Sequence, residues 1–156
     1  MARERTRPRW LNLEVLEERC LLGAGTLPTP DTTGPRVIEN SPSGIVRLPA
    51  DQIDLTFSEP IDPSTFTVAD ILSLVGPSGE IGPGGDPTPV DESNSIFRVS
   101  FAAQKTPGQL SLRLGSDIRD AAGNPMDQDQ DGQNGEMGDD EFSMTLQLVR
   151  TPTLVV

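Results

Sequence analysis

Residues 52–63 read QIDLTFSEPIDP, and the first half of that string decides the fold. Ile53, Leu55 and Phe57 alternate with Asp54, Thr56 and Ser58, the period-two pattern of a strand with one face buried and the other in water. The string then turns through Glu59-Pro60-Ile61-Asp62-Pro63. There Asp62, with Pro63 at the first helical position, predicts the cap of a single helical turn.

The same alternation recurs three times toward the C-terminus. Phe97, Val99 and Phe101 alternate with Arg98 and Ser100, and Leu110, Leu112 and Leu114 with Ser111 and Arg113; Phe142, Met144, Leu146 and Leu148 alternate with Ser143, Thr145 and Gln147. Weaker strands are predicted at 36–39, at 45–48 after the turn Asn40-Ser41-Pro42-Ser43-Gly44, and at 68–75, where Ile71, Leu72 and Leu74 leave the register open. Residues 76–94, rich in Gly, Pro and acids, read as a long mobile loop with a weak edge strand near Val90. Short strands between Gly/Pro turns predict an all-β fold, an Ig-like antiparallel sandwich over residues 35–150 with a tail at 151–156. Each strand face of three large apolar side chains contributes several kcal/mol at about 1.5–3 kcal/mol per side chain.

Composition agrees and narrows the function. The chain has 156 residues, enough for one domain, with 15 Gly, 15 Pro and only 34% hydrophobic residues, which favours turns and short strands over helices. Its net charge of -12 argues against nucleic acid as a partner, since neutralising phosphates takes clustered Lys and Arg. With no histidine, no tyrosine and one cysteine, Cys20, there is no His-based triad, no usual zinc ligand set and no internal disulfide. No run of about 18 apolar residues predicts a transmembrane helix.

Residues 1–9, MARERTRPR, are basic, and the apolar run behind them is interrupted by Glu14, Glu17 and Glu18, unlike the unbroken core of a secretory signal. Leu13, Leu16 and Cys20 share one side of a helix, so a short amphipathic helix is the plain expectation. Cys20, with Glu18-Arg19 before it, lacks the small residues of a lipid-anchor site and reads as an incidental thiol. Leu13-Glu14, Leu16-Glu17, Arg19 and Leu21-Leu22 resemble the LEPR-xLL motif at the N-termini of planctomycete secreted and surface proteins, with Glu18 where that motif has its proline. That resemblance implies export. Residues 23–35, GAGTLPTPDTTGP, read as a linker, so 1–34 is expected to be an export-type segment and linker.

The domain itself resembles the SbsA-like bacterial Ig-like modules of S-layer and other surface proteins. Three motifs carry the likeness: IDLTFSEPIDP at 53–63, the strand at 97–101 with Pro107-Gly108 behind it, and DIRDAAGNPM at 117–126. The resemblance implies a location outside the cell or on its surface and no catalysis. It does not extend to the Cys, Trp, Cys framework of immunoglobulins.

Between the last two strong strands lies residues 117–141, DIRDAAGNPMDQDQDGQNGEMGDDE, with nine acidic residues against one Arg. Asp127, Asp129, Asp131 and Gly132 match the first half of an EF-hand loop, and Gln133 stands where a backbone carbonyl would ligate. Gly138 occupies the twelfth position in place of a bidentate glutamate, so Glu136, Asp139 or Asp140 must close the site. The spacing thus predicts a structural Ca²⁺ loop without flanking helices, hence a clamp and not a sensor. The alternative is a solvated acidic loop that adds only solubility.

A catalytic carboxylate pair among Asp54, Glu59 and Asp62 is disfavoured, because glycosidases set such a pair in a cleft with stacking aromatics and aromatics are 4% here. Glu59 and Asp62 read instead as turn and cap residues. The function expected is a non-catalytic structural or adhesion module, its partner a surface protein or polysaccharide. The competing expectation is a polysaccharide- or protein-binding module without calcium dependence.

Overall fold

The computed structural model describes residues 29–152, and from Asp31 onward the described residues form one compact unit. The export motif, the amphipathic helix and Cys20 lie outside the described residues. Nine strands form in order: β1 Val37–Ser41, β2 Ile45–Arg47, β3 Ala50–Phe57, β4 Ile71–Gly76, β5 Gly79–Glu80, β6 Thr88–Pro89, β7 Ile96–Gln104, β8 Gly108–Leu114 and β9 Phe142–Val149. They build two sheets, β1-β3-β7-β6 and β2-β9-β8-β4-β5. All pairings are antiparallel except β2 with β9, which is parallel. Among the described residues no helix is long and apolar enough to cross a membrane.

The alternating residues meet between the sheets. Ile53, Leu55 and Phe57 of β3 and Phe97, Val99 and Phe101 of β7 face Leu110, Leu112 and Leu114 of β8 and Met144, Leu146 and Leu148 of β9 in one core cluster. Phe57, Phe66 and Phe97 form an aromatic trio with ring centroids 5.7–6.0 Å apart, the two pairs through Phe57 being edge-on. Edge-on rings set the positive rim of one against the negative face of the next. Phe66 reaches this trio because the 3₁₀ turn Pro63–Thr65 before it is capped as expected: the Asp62 carboxylate accepts from Ser64 N at 2.9 Å. Hydrogen bonds from the Ser64 hydroxyl and then its amide hold the Asp62 carboxyl below its usual range.

Two stretches differ from expectation. Residues 68–70 form a second 3₁₀ turn and not the start of a strand, because Thr67 and Asp70 close a reciprocal capping box. A register shift between Ile71 and Ser73 then lets β4 turn Ile71 and Leu74 toward the core and leave Leu72 exposed. Within 76–94, β5 and β6 pair with β4 and β7, and Pro83 bridges Phe101, so the segment is tied to both sheets.

The crossover at residues 115–141 joins neighbouring antiparallel strands, β8 and β9. Ile118 and Met126 anchor it in the core, each fully buried. Packing also begins ahead of β1. A Cβ at Gly34 would stand 1.9 Å from the Pro125 carbonyl oxygen, backbone against backbone. Gly34→Ala is therefore expected to lose about 1–3 kcal/mol of stability or more, read as a lower urea midpoint at an unchanged slope. An unchanged midpoint would mean that residues 31–35 do not pack this way in solution.

Candidate metal centre

The crossover is built as two nested turns. In the first, Asp120 is buried and its carboxylate accepts from Asn124 N at 2.8 Å and Asn124 Nδ2 at 2.7 Å, while Asp120 N donates to Asn124 O at 3.0 Å. This is the physical content of the DAAGN string: Asp and Asn satisfy each other around a turn that Gly123, at φ +93°, completes. Downstream, Met126 N donates to Ser116 O and Gly135 N to Met126 O, which bring the two ends of the acidic loop together.

In the second turn, Asp127 is 6% exposed and its Oδ2 accepts from Gly132 N at 3.2 Å. Gly132 has φ +86°, a conformation that a side chain would oppose. Asp140, fully buried, accepts from Gln128 N at 2.7 Å and from Glu136 N at 2.8 Å, one on each oxygen. Asp129, exposed, accepts from Asp131 N at 3.1 Å.

One oxygen from each of Asp127, Asp129 and Asp140 falls within 4.8 Å of the other two. Two oxygens about 2.4 Å from one Ca²⁺ can be at most about 4.8 Å apart, so the three meet the spacing that sharing one ion requires. Asp127 Oδ1 is buried without a hydrogen-bond partner, as is Asn134 Oδ1 on the same crossover. Among the described residues the ion pairs are Arg98 with Asp54, Arg113 with Glu141 and Arg119 with Asp117, and none involves the three clustered aspartates. Burial pushes the Glu136 carboxyl up, and the charges of Asp131, Asp139, Asp140 and Asp129 push it the same way.

The ligand set expected from loop spacing is thus redistributed. Asp127, Asp129 and Asp140 converge, whereas Asp131 accepts from Gln133 Nε2 at 2.9 Å and Gln133 N at 2.7 Å. Those two bonds, the side-chain one foremost, hold the Asp131 carboxyl below its usual range. Glu136 and Asp139 place no carboxylate oxygen in the cluster. Carboxylates two apart converge on one centre only where the backbone between them turns suitably; here Gln130, at φ +66°, lies between Asp129 and Asp131, and the Asp131 carboxylate bonds Gln133 instead. The signal for Asp140 lay in the glycine at the loop's twelfth position, which required a closing ligand from elsewhere, Asp140 being one of the three candidates.

A second cluster, Asp31, Glu59 and Asp120, has no counterpart in the sequence expectations. Burial, then Asp31 and Asp120, push the Glu59 carboxyl up, while Arg36 draws it down. Both Asp120 oxygens are already satisfied by Asn124, which makes this group a turn-holder first.

Residues 31–134 match a family model described as a bacterial Ig-like domain. No curated protein matches the sequence. Among solved structures, CopC from Methylosinus trichosporium OB3b aligns with a TM-score of 0.53 at 10% identity, over 78% of this chain and 99% of that one. The surface layer protein SbsC, domains 1–6, aligns with a TM-score of 0.50 at 15% identity, over 76% of this chain. A second S-layer structure, rSbsC(31-844), gives a TM-score of 0.50 at 18% identity over the same share. This chain spans only 14% of each of those two S-layer chains. At such identities the likeness is one of fold. With a family match covering most of the sandwich, the chain belongs to the bacterial Ig-like domain family.

Proposed function

We propose that the chain is a non-catalytic structural or adhesion module of an exported cell-surface protein, and that Asp127, Asp129 and Asp140 hold a Ca²⁺ ion that clamps the β8–β9 crossover. The observation that carries the ion is Asp127 Oδ1, a buried carboxylate oxygen with no hydrogen bond, on a residue whose carboxylate clusters with those of Asp129 and Asp140. A buried charge without a partner is costly, and a hard divalent cation is the group that relieves three carboxylates at once. Calcium suits the loop better than magnesium, because it accepts six to eight oxygens in flexible geometry and can complete its shell with carbonyls and water. Surface placement is supported by the family and by the S-layer fold likeness; residues 1–34 act in this reading as export-type segment and linker.

Melting the full chain in EDTA, in 10 mM Ca²⁺ and in 10 mM Mg²⁺ tests the clamp. At the weak affinities of extracellular sites, about 10⁻⁴–10⁻³ M, 10 mM Ca²⁺ adds about 1.4–2.7 kcal/mol, a rise of about 4–10 °C in Tm. Mg²⁺ is expected to give less, and Asp127→Asn with Asp129→Asn to remove the rise. Identical melting in EDTA and Ca²⁺ would reject the ion.

A second reading, a calcium-independent protein-binding module, is favoured by one surface. Leu72 and Met137, 48% and 90% exposed, line a recess with Asp70, Asp117 and Glu141. Recognition of a surface protein there would leave Ca²⁺ without effect on binding.

A further inference from the structure

We infer that the ion in the crossover also governs how the chain joins the sandwich: with Ca²⁺ bound, residues 31–35 lie fixed along the crossover, and ion release frees them as extra linker. The inference rests on the calcium reading and adds a consequence to it. Residues 31–35 are short of bonds to either sheet and are held by the crossover itself. Asn124 Nδ2 donates to Asp31 O at 3.2 Å, Asn134 Nδ2 to Thr32 O at 3.0 Å, and Asp127 N to Pro35 O at 3.1 Å. Gly34 lies against the Pro125–Asp127 backbone with no room for a Cβ.

The next attachment is Gln128, which sits between two of the ion's ligands. Its backbone N–H donates to a third, Asp140 Oδ1, and its side-chain amide pairs with both backbone groups of Val37, accepting from Val37 N at 2.9 Å and donating to Val37 O at 3.1 Å. Val37 needs this partner because the β1–β3 ladder shifts register between Val37 and Glu39. Arg36, in contrast, exchanges hydrogen bonds with Ser58 and stays with the sheet whatever the crossover does.

Among the described residues, every hydrogen bond that residues 31–35 receive from elsewhere in the chain therefore comes from crossover residues 124–134, and in the calcium reading three like charges repel within that stretch once the cation leaves. Remove the cation, and repulsion among Asp127, Asp129 and Asp140 opens the loop that positions Asn134, Gln128 and the Asp127 amide. Five residues released from packing extend the tether by up to about 17 Å. Linkage makes the effect reciprocal: whatever fixes residues 31–35 also tightens the ion.

The test is ¹⁵N relaxation on the full chain in 10 mM Ca²⁺ and in EDTA. With Ca²⁺, the amides of residues 31–34 should show order parameters near about 0.85, falling below about 0.6 in EDTA, while β7 and β8 stay rigid in both. Gln128→Ala should loosen Val37 in Ca²⁺ yet keep the chemical-shift response of Asp127, Asp129 and Asp140 to the ion. If Ca²⁺ moves those three resonances but residues 31–34 are equally rigid in both conditions, the inference is overturned and the calcium reading stands. If Ca²⁺ moves nothing, both fall. Collapse of the whole spectrum in EDTA would also overturn a local release.

Discussion

Phe97→Ala is expected to lower the stability of the sandwich by about 3–5 kcal/mol, a third or more of what a domain of this size has. Phe97 is fully buried at the centre of the aromatic trio, 6.0 Å from Phe57 and 5.7 Å from Phe66 between centroids. Its removal takes apolar surface out of the core and strips Phe57 of an edge-on partner and Phe66 of a tilted one, and strands held by ladder bonds on both sides cannot collapse into the space. Because Phe57 touches the same cavity, Phe57→Ala with Phe97→Ala should cost less than the two single losses added together. Urea titration at fixed Ca²⁺ measures all three variants. A loss under about 1 kcal/mol for Phe97→Ala would contradict a core centred on these rings.

The second large effect is expected at Asp140. Asp140→Ala leaves the amides of Gln128 and Glu136 without these acceptors, and each bond to a charged group is worth about 1.5–3 kcal/mol. Against this, one of three like charges disappears, a relief of about 1 kcal/mol per close pair in a water-like dielectric. The net loss expected in EDTA is about 2–4 kcal/mol, and the Ca²⁺-dependent rise in Tm should vanish as well. Asp131→Ala is the control. Its carboxylate serves only the exposed Gln133 turn, so the calcium response should survive. Equal calcium responses from Asp131→Ala and Asp140→Ala would mean that spacing, and not the convergence of Asp127, Asp129 and Asp140, defines the site.

Comparison of particular elements shows where the amino-acid string suffices. β3, β7, β8 and β9 were legible because each places three or four large apolar residues at period two, which no other element can bury on one face. The capped turn after β3 was legible from Asp62-Pro63. The second turn carried its own signal, Thr67 and Asp70 three apart, but the apolar run behind it masked that signal as strand. β5 and β6 are two residues each, too short to have a period, and the parallel pairing of β2 with β9 depends on the path of the chain through space.

What the sequence alone determined is the class of fold and the location of concentrated charge: alternation commits side chains to opposite faces of a strand whatever surrounds it, and nine acids in residues 117–141 are there by composition. Tertiary structure decided which carboxylates meet. Left-handed backbone at Gln130 and Gly132 turns Asp131 aside and leaves Asp127 and Asp129 to be joined by Asp140 from the far end of the crossover. It also decided that residues 31–35, whose composition reads as linker, lie against that crossover. Their hold is backbone hydrogen bonding and a glycine contact, and neither leaves a trace in hydrophobic pattern.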